Sequence, residues 1–262
     1  MPAKLTHGAV ALLLAALLVP LAQAAEVTQK GNVQVAFFGK LTPHRLPRKG
    51  LAPVRVAVGA TIAPIDEAGP KPALQKIKIE INRHGHFDPV GLPVCEYDEV
   101  QPATTADALA ACRESLVGKG SFSSRVLSPE EAPFPSQGPL YAFNGTYHGH
   151  PAILAHVYGT QPIPVSYTIP FILSKAKGAY GTALSAPMPL ADSESGYVTG
   201  LTLNLGRSFR FNGTRRSYLS AGCPTPKGVS VAPFDFARAT FYFASAKLSS
   251  TLSRSCKAKP GS

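Results

Sequence analysis

Two triplets, His84-Gly85-His86 and His148-Gly149-His150, carry the side chain best suited to metal ligation, and His156 follows the second. On an extended strand, residues i and i+2 share a face. Each triplet could therefore offer two imidazoles to one Zn2+ or Cu2+ while a neighbouring strand supplies a third. A metal-dependent enzyme or metal-binding protein using His84, His86, His148, His150 and His156 is one reading. The neighbouring residues favour another. Asn82-Arg83 precedes the first triplet, Pro151 follows the second, and each has Gly at its centre, a composition typical of hairpin tips. Two rings at a tip diverge, so paired surface histidines are the expectation. No G-x-S-x-G elbow or Gly-rich phosphate loop accompanies them, and no cofactor is implied.

The elements that must position any site read as strands. Residues 33–37, 54–58 and 77–81 alternate apolar and polar side chains, with Ile77, Ile79 and Ile81 on one face and Lys78 and Glu80 on the other. Similar short runs recur to the C-terminus, giving about a dozen strands, with 234–244 and 247–254 as a closing hairpin. Only 104–111 has a helical pattern, capped by Thr104 or Thr105. A chain of this kind must bury sheet against sheet, so the expected fold is all-β, an antiparallel β-sandwich or jelly-roll-like arrangement with one short helix. One domain over 25–262 is expected, with a candidate break in the Pro-rich stretch near 128–138. Phe143-Asn144-Gly145-Thr146 and Phe211-Asn212-Gly213-Thr214 both predict Asn-Gly hairpin turns.

Residues 1–24 start with Lys4 and His7, continue through an uncharged apolar block and end Ala22-Gln23-Ala24, the pattern of a signal peptide cleaved near Ala24. The product is then secreted or extracytoplasmic, with no transmembrane segment in the mature chain. In an oxidising compartment the four cysteines form two disulfides with three connectivities open. Cys95–Cys112 and Cys223–Cys256 are favoured because each pair brackets one compact stretch. No C-x-x-C pair supports a thiolate metal site.

Charge is uneven. The chain has 26 Lys plus Arg against 15 Asp plus Glu, a formal net charge of +11. From Tyr197 onward, Arg207, Arg210, Arg215, Arg216 and six further basic residues face Asp235 as the single acid. A concentrated positive field attracts polyanions, and for an exported chain these are anionic cell-envelope polymers or polysaccharide. Arg207, Arg210, Arg215 and Arg216 are the candidate anion-binding residues; the bland alternative is a solvated strand face. No motif supports sequence-specific nucleic-acid recognition.

The phrases Gly91-Leu92-Pro93-Val94-Cys95, Thr104-Thr105-Ala106-Asp107-Ala108-Leu109-Ala110-Ala111-Cys112, Pro139-Leu140-Tyr141-Ala142-Phe143-Asn144-Gly145-Thr146 and Tyr218-Leu219-Ser220-Ala221-Gly222-Cys223-Pro224 together resemble a family of secreted bacterial proteins without an assigned activity. The resemblance covers most of the chain after about Leu41. It implies an exported bacterial protein, supports the same disulfide pairing and transfers no catalytic role. The reading that results is an exported, disulfide-stabilised β protein, non-catalytic, with a binding or structural role at or outside the cell envelope.

Overall fold

The computed structural model describes residues 25–128, 131–160, 164–188 and 196–259. The export segment expected at 1–24 lies outside them, as do Pro129 and Glu130 of the Pro-rich stretch.

The first half of the chain supplies β1 (Glu26–Lys30), β2 (Val33–Thr42), β3 (Arg45–Leu46), β4 (Ala52–Pro53), β5 (Arg55–Pro64), β6 (Leu74–Asn82), β7 (Gly85–Phe87) and β8 (Cys95–Glu96). Two short helices follow, α1 (Tyr97–Val100) and α2 (Thr105–Cys112). Then come β9 (Leu116–Ser128), β10 (Glu131–Tyr147), β11 (His150–Gly159), β12 (Val165–Lys175) and β13 (Tyr180–Pro187). The last quarter holds β14 (Gly196–Leu205), β15 (Ser208–Phe211), β16 (Thr214–Ser217), β17 (Leu219–Ala221), β18 (Val231–Phe243) and β19 (Lys247–Ala258).

Fourteen strands form one sheet in the order β1-β2-β5-β14-β9-β10-β11-β12-β13-β6-β18-β19-β3, with β8 added to β10. All pairings are antiparallel except β8 with β10 and β3 with β19. The sheet curls until β1 lies beside β19, where Ser250 Oγ donates to the Glu26 carbonyl at 3.4 Å. Curling places inner faces against each other: Phe37 of β2 meets Phe241 of β18 edge to face, ring centroids 6.1 Å apart. The fold is thus the all-β, sandwich-like architecture expected, made from one continuous sheet. A sheet brought round on itself also leaves few unpaired edges. A smaller sheet, β4-β17-β7, and the separate β15–β16 hairpin complete the described strands.

The outer face of β10 and β11 is covered as well. Thr104 caps α2, accepting from the Asp107 N–H at 3.2 Å, while the Asp107 carboxylate accepts from the Thr104 N–H, a reciprocal box. Val100, Ala108 and Cys112 form a second apolar cluster with Phe143, Ala152 and Leu154. Cys95–Cys112 closes this clip, and Cys223–Cys256 joins the end of β17 to β19, so both expected disulfides form. No helix among the described residues is long and apolar enough to cross a membrane.

Two expectations are corrected. Among the described residues there are two short α-helices rather than one, because 97–100 forms its own turn under a Glu96–Glu99 capping box. Asn144-Gly145 is not a turn: both residues lie inside β10, where Asn144 Nδ2 donates to the Pro93 carbonyl at 3.0 Å. Gly145 is required by close approach, since a Cβ there would sit 2.3 Å from the Cys95 carbonyl oxygen of β8. The turn falls four residues later, at His148-Gly149, with φ of 48° and 74° joining Tyr147 to His150. Positive φ at both loop positions is the two-residue geometry that matches strand twist. Asn212-Gly213 does form the expected turn, with φ of 49° and 75°. The described part of the Pro-rich stretch is strand, with Phe134 opposite Val126 and Pro135 opposite Arg125.

Candidate functional site

The five histidines are distributed rather than gathered. His84 is half-buried in the turn before β7, and His86 is exposed in β7 opposite Ser220. Burial first, then the positive Arg83 and His86, lowers the His84 pKa. His148 lies in the tight turn and His150 directly follows it, the His148 ring lying 4.1 Å from that of Tyr147. His156 is wholly buried beneath α1. Among the described residues, the one set of three His, Cys, Asp or Glu ligand atoms within 4.8 Å of one another is Cys95, Glu99 and Cys112. Both of its sulfurs are already joined in a disulfide.

His156 Nδ1 lies 3.0 Å from the Val100 carbonyl oxygen, an acceptor only, so the proton sits on Nδ1. Nε2 is buried without a partner. Burial holds the His156 pKa below its ordinary value, although the hydrogen bond to Val100 opposes the shift. Folding therefore favours the neutral ring over the charged one. The associated stability is therefore present above the unfolded value of 6.5 and is lost as pH falls below it. Between pH 7.5 and 5.5 the wild type is expected to lose more stability than His156→Leu, by urea midpoints. Equal losses in the two proteins would exclude His156 as the titrating group.

The four predicted arginines divide into two pairs of different use. Arg207 Nη1 donates to the Leu116 carbonyl at 2.8 Å and Nη2 to Glu114 at 3.3 Å. Arg216 donates twice to Asp88 Oδ2, at 3.0 and 2.7 Å. These two fasten the β15–β16 hairpin to the body. Arg210 and Arg215 face each other in register on that hairpin, both exposed. Like charges directly opposite are unfavourable in a strand pair, which gives this pair a local positive field.

The more concave basic feature lies elsewhere, and the reason is topological. β1 accompanies β2 only as far as Phe37, opposite Glu26, so the end of β2 from Phe38 to Thr42 has lost its partner on that side. β19 and the short β3 approach this open edge, paired to each other through Lys257–Arg45 and Ala258–Leu46. Arg254 of β19 reaches across, donating through Nε to the Gly39 carbonyl at 3.2 Å and pairing with Glu26 at 3.6 Å. A guanidinium thus satisfies an edge carbonyl that a strand would otherwise meet.

The gap is a cleft of about 410 Å³ with Lys40, His44, Arg254 and Lys257 in its lining. Among the described residues no Asp or Glu lines it. Its apolar lining comes from Leu41, Leu46, Phe234 and Phe236, and Cys256 ties it to the second disulfide. Lys40, His44, Arg45 and Lys257 are exposed, and no ion pair among the described residues involves them. Arg254 and Lys257 belong to the basic last quarter; Lys40, His44 and Arg45 do not, and only the return of the sheet onto β2 brings the groups together. The basic quarter pointed to Arg254 and Lys257, but the sequence held no signal for their meeting with Lys40.

A sheltered recess lined by cations holds an anion better than a flat surface, because lower dielectric strengthens each attraction. The sequence matches no protein-family model, and no curated protein or solved structure matches the chain.

Proposed function

We propose that this is an exported bacterial protein, non-catalytic, that binds an anionic component of the cell envelope through the basic cleft. The observation that carries the proposal is the convergence of Lys40, His44 and Lys257 on one recess beside Arg254, which is engaged with Glu26, with no carboxylate in the lining among the described residues. The ligand chemistry is a phosphate, sulfate or carboxylate group, of the sort repeated on anionic envelope polymers and polysaccharide. Arg210 and Arg215, exposed on their hairpin, add positive field without a recess. The two disulfides and the curled all-β sheet suit a chain that works outside the reducing cytoplasm.

Retention on heparin and on isolated envelope fractions across a salt series tests this reading. Lys40→Gln with Lys257→Gln removes two charges, each worth about 1 kcal/mol at an anionic surface, so binding is expected to weaken about 30-fold at low salt. Arg210→Ser with Arg215→Ser should weaken it less. The difference should shrink as salt rises, because exposed charges are screened. Retention that ignores both salt and the Lys40 and Lys257 changes would overturn the proposal.

A further inference from the structure

Behind the cleft, the inner faces of the curled sheet do not meet everywhere. Ile77, Ile79 and Ile81 of β6, Val56 and Val58 of β5 and Leu201 of β14 line an internal cavity of about 90 Å³. Five of these six side chains remain only half-buried although their strands lie within the sheet; Ile77 alone is fully covered. One end is covered by the small sheet, through Phe87 of β7 and Leu219 of β17. At the other, Leu41 and Phe236 line both this cavity and the basic cleft. A cationic recess and an aliphatic chamber thus share two lining side chains.

We infer that the anion held in the cleft carries a single hydrocarbon chain, and that the chain passes Leu41 and Phe236 into the cavity. This rests on the proposed anion site and goes further by naming the ligand class, a single-chain anionic amphiphile. The chamber gives water few hydrogen-bonding partners, so an aliphatic chain is its favoured occupant. A cavity of about 90 Å³ is several times the roughly 10–15 Å³ that a single water-sized group needs, so it has room for a short hydrocarbon chain. Charge complementarity fixes the direction: the head stays with Lys40, His44, Arg254 and Lys257 while the tail enters. The side chains of Leu41 and Phe236, which line both spaces, must move aside for the chain to pass.

Calorimetric titration of the mature chain with ethyl, butyl, hexyl and octyl phosphate, beside inorganic phosphate and octanol, tests the inference. Affinity is expected to rise about fourfold per methylene and to level off within the series once the chamber is filled. Octanol should bind far more weakly than octyl phosphate. Val58→Phe and Leu201→Phe, on different strands, each place a ring in the chamber and should flatten the chain-length dependence while leaving phosphate binding unchanged. Phosphate and heparin binding with no chain-length dependence in the wild type would overturn the amphiphile and leave the anion site standing. Octanol binding as tightly as octyl phosphate would overturn the coupling of the two spaces. Absence of any anion binding would remove the anion site and this inference with it.

Discussion

Replacing Cys223 and Cys256 together by alanine is expected to lower the free energy of unfolding by roughly 3–4 kcal/mol, by the loop-closure entropy of a cross-link spanning 33 residues. For a chain of this size that corresponds to a fall in Tm on the order of 10 °C. The Cys95–Cys112 link spans 17 residues and should contribute slightly less, about 3 kcal/mol. The 223–256 link has a second consequence because of where it sits. Cys223 follows β17, the central strand of the sheet over the apolar cavity, and Cys256 lines the basic cleft. Without the link, β17 is held to the body by its ladders to β4 and β7, two and three residues long, and by loop contacts such as the Cys223 N–H to the Pro47 carbonyl at 2.8 Å. Differential scanning calorimetry of the double variant reads the loss directly. Amide exchange should accelerate in β7 and β17 before the rest of the sheet, since short ladders with few neighbours open first. A stability loss under about 1 kcal/mol would mean that the cap is held by its apolar contacts alone.

What the sequence made legible was whatever depends on local pattern. Alternation identified β2, β6 and the β18–β19 hairpin, and Thr104 identified the start of α2. The bracketing of compact stretches gave both disulfides. What depends on neighbours distant in the chain was hidden. His156 sits on a strand whose outer face is covered by α1, so burial runs unbroken from Ala152 to Val157. Alternation alone would have left that ring facing solvent. Asn144-Gly145 has turn composition, but β8 docks against it in parallel and needs the missing Cβ more than the chain needs a turn there. The basic cleft depends on β19 returning to the unpaired end of β2, a closure that no local spacing encodes. Charge counting located half of the cleft and also weighted Arg207 and Arg216, whose guanidinium groups are engaged with Glu114 and Asp88.

Glu80 shows the same limit and carries the other large expected effect. Alternation placed it on the solvent face of β6, yet it is 7% exposed. Arg238, opposite it on β18, covers it and donates twice to Oε2 at 2.9 and 2.7 Å, while Lys78 Nζ donates to Oε1 at 3.0 Å. The Arg238 guanidinium also lies 4.7 Å from the Tyr180 ring centroid, which fixes its plane. Burial alone would raise the Glu80 pKa; the hydrogen bonds from Arg238 and Lys78 outweigh it and hold the carboxyl below its ordinary value. Arg238→Ala leaves a buried carboxylate with Lys78 as its one remaining cation and is expected to cost about 3 kcal/mol at pH 7. Glu80→Ala should cost less, about 1 kcal/mol, because the charges it leaves are on partly exposed side chains that water can solvate. Acid separates this ion pair from simple packing. Glu80 is depressed in the folded state, so its contribution is complete above the unfolded value of 4.5 and disappears as pH falls through the lower folded value. Arg238→Ala lacks that contribution at every pH, so the gap between wild type and variant should narrow sharply between pH 5 and pH 3 in urea midpoints. A gap of constant size across that range would show that Arg238 acts through its contact with Tyr180 and not through Glu80.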